Sequence, residues 1–302
     1  MSRQWMARQE RGSLFLIRLI VGIARTLGRP VARLLLYPIT AYFLLFSPRS
    51  VAASRDYLER VLPGPVGLRQ QFRHYHTFAA TILDRVFLLA GRYDLFDIRL
   101  HGAEVLTERL AAGHGCILLG AHVGSFEALR MLGLERQLPI NVLMYEENAE
   151  KINSVLNVLN PRAAQCVIPI GGPESLLKVG EKLRQGELVG ILGDRIAAGD
   201  KSVTVDFLGR PTRFPAGPLL IAGLLKAPVI LGFGLYRGGN RYDLHFELLG
   251  EEIPLPRHER MAQVQTWTQR YAERLEAMCR AAPYNWFNFY DYWEEPADNA
   301  DD

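Results

Sequence analysis

Short, almost wholly apolar runs recur between amphipathic stretches, and this alternation restricts the architecture more than any other feature of the chain. Cys116 to Gly120 is the clearest: five residues, no charge, a glycine turn directly after it and a helix-forming stretch beyond. A strand covered on both faces reads this way, whereas a strand with one wet face alternates polar and apolar residues. Ile140 to Met144, Cys166 to Ile170, Leu188 to Leu192 and Val229 to Phe233 repeat the pattern, with helices expected over 148–159, 173–185 and 217–226. Strand and helix in strict succession predict an α/β fold: a mixed, mostly parallel sheet flanked by helices. Val203 to Phe207 reads as a further strand, the stretch with Arg210, Pro211, Thr212, Arg213 and Pro215 as a loop, and Tyr242 to Leu248 as an alternating, edge-like strand. Helices are also expected over 49–62, 68–90, 103–111 and 259–280, and the last of these leads into the aromatic run APYNWFNFYDYW.

The N-terminal part is of another kind. Residues 1–33 hold seven arginines against one glutamate, and Leu34 to Phe46 follows with 13 residues free of charge. Thirteen residues fall short of the roughly 20 that cross a bilayer upright. Arg18, Arg25, Arg29 and Arg33 recur at intervals of seven, four and four, which places them near one side of a helix whose other sides are Leu, Ile, Val and Phe. Such a helix lies at a membrane interface with arginines on headgroups. Two other readings stay open: a re-entrant hairpin broken at Pro30 and Pro38, and ordinary core or oligomer surface. The chain thus divides into a membrane-associated helical segment over 1–47, a catalytic α/β domain over 48–293 and an acidic tail over 294–302. The interleaving of arginine with aliphatic residues disfavours a nucleic-acid partner. Three cysteines without a CxxC make a disulfide framework or a structural zinc site a poor fit.

Chemistry concentrates in AHVGSFE, residues 121–127. His122 follows an apolar strand, where side chains of α/β sheets enter the ligand crevice, and Glu127 lies on the first turns of the next helix. A neutral imidazole becomes an effective base for a hydroxyl when a carboxylate fixes its tautomer, and Glu127 is the expected partner on Nδ1. The plain structural alternative is a capping or core histidine beside an ordinary helix glutamate. GDR, residues 193–195, follows the strand Leu188 to Leu192 and brings Asp194 and Arg195 to the same crevice edge. Arg195 is a candidate for holding a phosphate or opposing an oxyanion, and Arg210 and Arg213 are weaker candidates for the same anion-binding role. Ser125 lacks a GxSxG setting, no metal-ligand cluster stands out, and neither GxGxxG nor GxxxxGK occurs, so neither a nucleotide nor a metal cofactor is expected.

AHVGSFE, the strand ending in GDR, and FLGRPTRFPAGPLLIAGLLKAPVI, preceded by a basic and apolar N-terminal segment, together resemble the bacterial lipid A biosynthesis late acyltransferases (lauroyl or myristoyl acyltransferases) over roughly residues 12–293. The resemblance implies an enzyme at the cytoplasmic face of the inner membrane. It would take a fatty acyl group from acyl carrier protein or acyl-coenzyme A, the thioester being a co-substrate and not a cofactor. The acyl group would pass to a hydroxyl of a lipid or glycolipid acceptor. His122 would be the base and Glu127 its partner, and Asp194 stands where the family has an aspartate. Two departures bear on the acceptor: VLMYEENAEK, residues 142–151, replaces an arginine-containing stretch, and PYNWFNFYDYW lacks an arginine. Fewer cations imply an acceptor less phosphorylated than lipid A precursors, and the chain looks more like the relatives that sit in aryl polyene or other pigment-lipid pathways. Competing readings are a lysophospholipid or glycerol phosphate acyltransferase, a hydrolase, and a non-catalytic membrane scaffold.

Overall fold

The computed structural model describes residues 14–293, apart from 112, 114, 139, 146–159, 171 and 198. The acidic tail over 294–302, Glu146 and Glu147, and the helix expected over 148–159 lie outside the described residues. Among the described residues three helices come first, α1 (Leu14–Phe46), α2 (Pro48–Val61) and α3 (Leu68–Leu89). The body follows as β1 (Asp97–His101), α4 (Glu104–Ala111), β2 (Cys116–Gly120), α5 (Phe126–Glu135), β3 (Ile140–Tyr145), α6 (Pro161–Gln165), β4 (Val167–Ile170), α7 (Pro173–Arg184) and β5 (Leu188–Leu192). Then come β6 (Ser202–Phe207), β7 (Arg210–Pro215), α8 (Gly217–Leu225), β8 (Val229–Gly238), β9 (Arg241–Gly250) and α9 (Arg260–Ala281).

Seven strands form one sheet in the order β1-β9-β8-β2-β5-β3-β4. Five run parallel from β8 to β4, while β9 is antiparallel to β8 and carries β1 parallel beside it. Strand period two sorts the apolar residues into two layers. Ile117, Leu119, Val189, Ile191, Val229 and Leu231 pack with Val264, Tyr271 and Leu275 of α9 on one face. Cys116, Leu118, Leu188 and Ile230 pack with Ala80, Leu83 and Leu88 of α3 and with Ala128, Leu129 and Met131 of α5 on the other. This double covering explains why β2 is buried along its whole length and why its sequence shows no alternation.

Two local expectations are corrected. The run at 210–215 is strand β7 and not a loop, paired antiparallel with β6 in a separate two-stranded sheet. Leu208 and Gly209, both at positive φ (51° and 78°), make the tight turn between them. Pro211 and Pro215 are tolerated because, among the described residues, no third strand needs their missing N–H. Strand β9 lies inside the sheet between β1 and β8, so β1 is the edge. The charges of Asp97, Arg99 and His101 on β1 suit that position.

The N-terminal segment docks on the body through residues that read as headgroup ligands. Helix α1 is kinked at Gly28 (φ 79°), and just beyond it Arg29 forms a two-pronged ion pair with Asp84, Nε to Oδ1 at 2.7 Å and Nη2 to Oδ2 at 2.8 Å. Asp84 is fully buried and also accepts from the Tyr242 hydroxyl at 2.9 Å. Arg33 lies over the Tyr236 ring at 5.9 Å. These two arginines therefore face the protein. The side chains of Arg18 and Arg25 lie outside what is described. Ala32, Leu36 and Thr40, one turn apart, form the buried stripe of α1, and Leu34, Tyr37, Tyr42, Leu45 and Phe46 stay exposed, Leu34 at 66% and Leu45 at 76%. Among the described residues no single helix is long and apolar enough to cross a membrane. The pair Gly28–Phe46 and Pro48–Val61, bent by 99°, meets that test jointly by length and composition.

Candidate active site

The register of two neighbouring strands creates the site. Gly120 of β2 is paired in parallel with Leu192 of β5, so the residue two positions beyond each, His122 and Asp194, emerges side by side. Gly193 N–H donates to the Gly120 carbonyl at 2.9 Å and holds the two strand ends together past the last ladder bond. His122 Nδ1 lies 2.7 Å from Asp194 Oδ1, and the His122 amide donates to Oδ2 at 3.0 Å. The carboxylate thus grips both the ring and the backbone of the same residue.

The turn after His122 is packed too tightly for any side chain at Gly124. Its φ is +59°, and a Cβ there would press into the Gly234 carbonyl. Ser125 N–H donates to that same carbonyl at 2.7 Å, and the Ser125 hydroxyl caps α5 by accepting from the Ala128 amide at 3.2 Å. Ser125 is a helix cap. From the other side the aromatic stretch 283–293 crosses the turn as a strap. Val123 and Trp286 form an antiparallel bridge, Phe287 N–H donates to the His122 carbonyl at 2.8 Å, and Gly124 N–H donates to the Asn285 carbonyl at 2.7 Å. The strap is held below by buried His74, whose Nε2 pairs with the Trp286 carbonyl at 2.8 Å and whose Nδ1 pairs with the Ser54 hydroxyl at 2.8 Å.

Asp194 is only 1% exposed and is surrounded by donors: besides His122, Trp286 Nε1 at 3.2 Å and Asn288 Nδ2 at 3.0 Å both reach Oδ2. Burial by itself would raise its pKa, but the imidazole, Arg195 and the Asn288 amide outweigh burial and hold the carboxyl well below the usual carboxylate range. It is ionised at neutral pH. For His122 the balance goes the other way. Desolvation and the Arg195 cation lower its pKa, with a smaller push from Arg85, against the opposing pull of Asp194. The imidazole is therefore neutral near pH 7, with its Nδ1 proton directed to the carboxylate and the Nε2 lone pair left over. The ring is 29% exposed, and among the described residues nothing bonds Nε2. A neutral, oriented imidazole with its outer nitrogen open is equipped to take a proton from a hydroxyl.

Glu127 has different partners from those expected. Its Oε1 accepts from Arg130 Nη1 at 3.2 Å, and its Oε2 lies 3.7 Å from Arg85 Nε on α3. Position 127 sits on the first turn of α5, where the carboxylate meets Arg130 three residues on, and Nδ1 is already occupied by Asp194. Arg130 is buried, and its Nη2 donates to the Ala163 carbonyl. Arg195 is at the site: Nε donates to Asn288 Oδ1 at 2.7 Å and Nη2 to the Phe287 carbonyl at 2.9 Å. Arg210 and Arg213 are exposed on the β6–β7 hairpin, where Arg213 bonds the Ser202 hydroxyl, and neither bonds His122, Asp194 or Arg195. Arg85, Trp286, Asn288 and Tyr292 escaped sequence reasoning. Tyr292 donates its hydroxyl proton to the Asp194 carbonyl at 2.7 Å. The density of aromatic and amide residues in 283–293 was the available signal.

Among the described residues, His101, Asp243 and His245 form one group with metal-ligand chemistry. Both Asp243 oxygens already accept from Arg237 and Arg241, at 2.8 to 3.0 Å, and two guanidiniums beside a carboxylate oppose a bound cation. The three cysteines are free, with Cys116 and Cys279 buried.

The site is thus a histidine and an aspartate at adjoining strand ends of an α/β sheet, in a chain whose bent N-terminal helix pair is long and apolar enough to be membrane-associated. Residues 7–295 match the family described as bacterial lipid A biosynthesis acyltransferase, and the chain belongs to that family. It is also similar to the phosphatidylinositol mannoside acyltransferase of Mycobacterium tuberculosis (strain ATCC 25618 / H37Rv), 28% identical over 123 residues. That match takes in 40% of this chain and spans 39% of the length of the relative.

Proposed function

We propose that this protein is an O-acyltransferase that moves a fatty acyl group from an acyl thioester to a hydroxyl of a lipid or glycolipid at a membrane surface. The observation that carries the reading is the His122–Asp194 pair, closed on Nδ1 and open on Nε2. The acceptor hydroxyl gives its proton to Nε2 as its oxygen attacks the thioester carbonyl. The imidazolium so formed is stabilised by Asp194, and the tetrahedral oxyanion collapses with loss of the thiol, which takes the proton back. Arg195, held by Asn288 and the Phe287 carbonyl, supplies positive charge beside the developing oxyanion. Glu127 serves at one remove, holding Arg85 near the imidazole.

The donor is acyl carrier protein or acyl-coenzyme A, and its chain needs apolar contact, since each buried methylene contributes about 0.8 kcal/mol. Phe287, which bonds the His122 carbonyl through its amide, stacks with Phe289 and packs against Phe78 at 5.2 Å, so an aromatic wall stands beside the turn. The exposed side of α1 meets lipid at the cytoplasmic face of the inner membrane. A glycolipid acceptor agrees with the name of the mycobacterial relative, a phosphatidylinositol mannoside acyltransferase. The test is transfer from a radiolabelled acyl thioester to total membrane lipid, followed by mass spectrometry of the product. Parent protein is expected to form an ester and His122→Ala to form none while folding normally; equal rates in the two would reject the reading.

A further inference from the structure

Asn288 stands between the two charged groups that flank the imidazole. Its Nδ2 donates to Asp194 Oδ2 at 3.0 Å and its Oδ1 accepts from Arg195 Nε at 2.7 Å. The side chain is 1% exposed, so water does not compete for either bond. Asp194 and Arg195 are neighbours in sequence, yet no hydrogen bond joins their side chains among the described contacts, and the amide is what links them. A carboxamide suits this place because it offers a donor and an acceptor at one end of an uncharged side chain. Its orientation is dictated: the nitrogen faces a carboxylate and the oxygen a guanidinium, and a flip would set like against like at both contacts. The backbone is fixed as well, since Phe287, immediately before it, donates its N–H to His122 and its carbonyl accepts from Arg195. Of the residues bonding the Asp194 carboxylate, which are His122, Trp286 and Asn288, Asn288 alone also bonds Arg195 among the described contacts.

We propose that Asn288 is a positioning residue for the transfer reaction, one that aims the Asp194 carboxylate under His122 and fixes the Arg195 guanidinium at the mouth of the site. This rests on His122 being the base. Asn288 touches neither substrate nor the proton in flight, and acts through its two charged neighbours.

The test uses the full-length protein in membranes, with a long-chain acyl thioester as donor and endogenous lipid as acceptor, and reads turnover, its pH profile and an NMR titration of the His122 ring assigned by its loss in His122→Ala. Asn288→Ala is expected to lower kcat about ten- to a hundredfold, as loss of a hydrogen bond to a charged group does, with donor KM within about twofold. Asn288→Asp places a second carboxylate beside Asp194, so both the acid limb of kcat/KM and the His122 midpoint should move to higher pH. Asn288→Ala should move the midpoint the same way as Arg195 loses its tether, and supplies that readout if Asn288→Asp does not fold. The double variant Asn288→Ala with Arg195→Gln should lose less than the product of the single losses. An unchanged His122 midpoint in both folded Asn288 variants, or strictly multiplicative losses, would overturn the proposal. A parent protein without transfer would instead defeat the acyltransferase reading, and the ring titration would still judge the positioning role.

Discussion

Two atoms of one carboxylate do separate work on His122, one fixing the ring and the other the backbone amide, so Asp194 is the side chain whose loss is most specific. Asp194→Asn keeps the shape but offers an amide where Nδ1–H needs an acceptor, and the ring then adopts the wrong tautomer. Transfer should fall about 10³- to 10⁴-fold with little change in thermal stability, measured as kcat with saturating donor; a variant within tenfold of the parent would remove Asp194 from the mechanism. The pH dependence has a definite sign. In the proposed mechanism neutral His122 is the working form, and its pKa is lowered from 6.5, by desolvation first and by Arg195 second, so activity should rise with pH along a limb lying below that value. Arg195→Gln should move the limb upward. The place of His122 at a strand end was legible in the sequence because glycines and an apolar strand frame it. Its partner was not. Glu127 is five residues away along the chain and drew the assignment, whereas Asp194 is 72 residues away and reaches Nδ1 through strand register, which a single sequence does not display.

Among the elements, those with strong periodicity were readable, and those set by their neighbours were not. Helix α3 and the five parallel strands follow from apolar spacing alone. Strand β1 is five residues of alternating charge that pair because β9 lies alongside, and β7 is a proline-bearing strand that pairs because a two-residue turn returns it to β6. The arginine spacing on α1 was real, but its meaning depended on Asp84, a buried carboxylate of α3 to which nothing local points. That ion pair gives an element-level prediction. Arg29→Ala leaves the Asp84 charge buried with, among the described contacts, the Tyr242 hydroxyl as its remaining hydrogen-bond partner, and should cost about 3 to 5 kcal/mol of stability by denaturant unfolding. Replacing both partners together with apolar residues should cost less than Arg29→Ala alone; equal or larger loss in the double variant would contradict this view of the docking.

For the molecule as a whole, one side of α1 is spent on the body and the other is left apolar. Val31, Leu34, Tyr37, Leu45 and Phe46 are exposed together along a helix that packs through Ala32, Leu36 and Thr40. Exposed leucines lose about 1.5 to 3 kcal/mol each by staying in water, so a lipid surface is the natural cover. Leu34→Glu with Leu45→Glu should weaken partition onto vesicles of anionic lipid at least about tenfold, read by co-sedimentation, while the His122 titration stays as in the parent. Undiminished sedimentation would assign the anchor elsewhere. The overall α/β plan and the amphipathic start of the chain were evident from composition along the sequence, since both depend on many residues. Closure of the site by residues 283–293 depends on a few hydrogen bonds and was hidden.

That late closure orders events during synthesis. Helix α1, proposed to meet lipid, leaves the ribosome long before Trp286 and Asn288 exist, and until they arrive Asp194 lacks two of its donors and the His122 turn lacks its cover. On the proposed reading, a nascent chain can therefore reach the bilayer while chemically silent, and gains competence only once the final stretch folds back across the sheet.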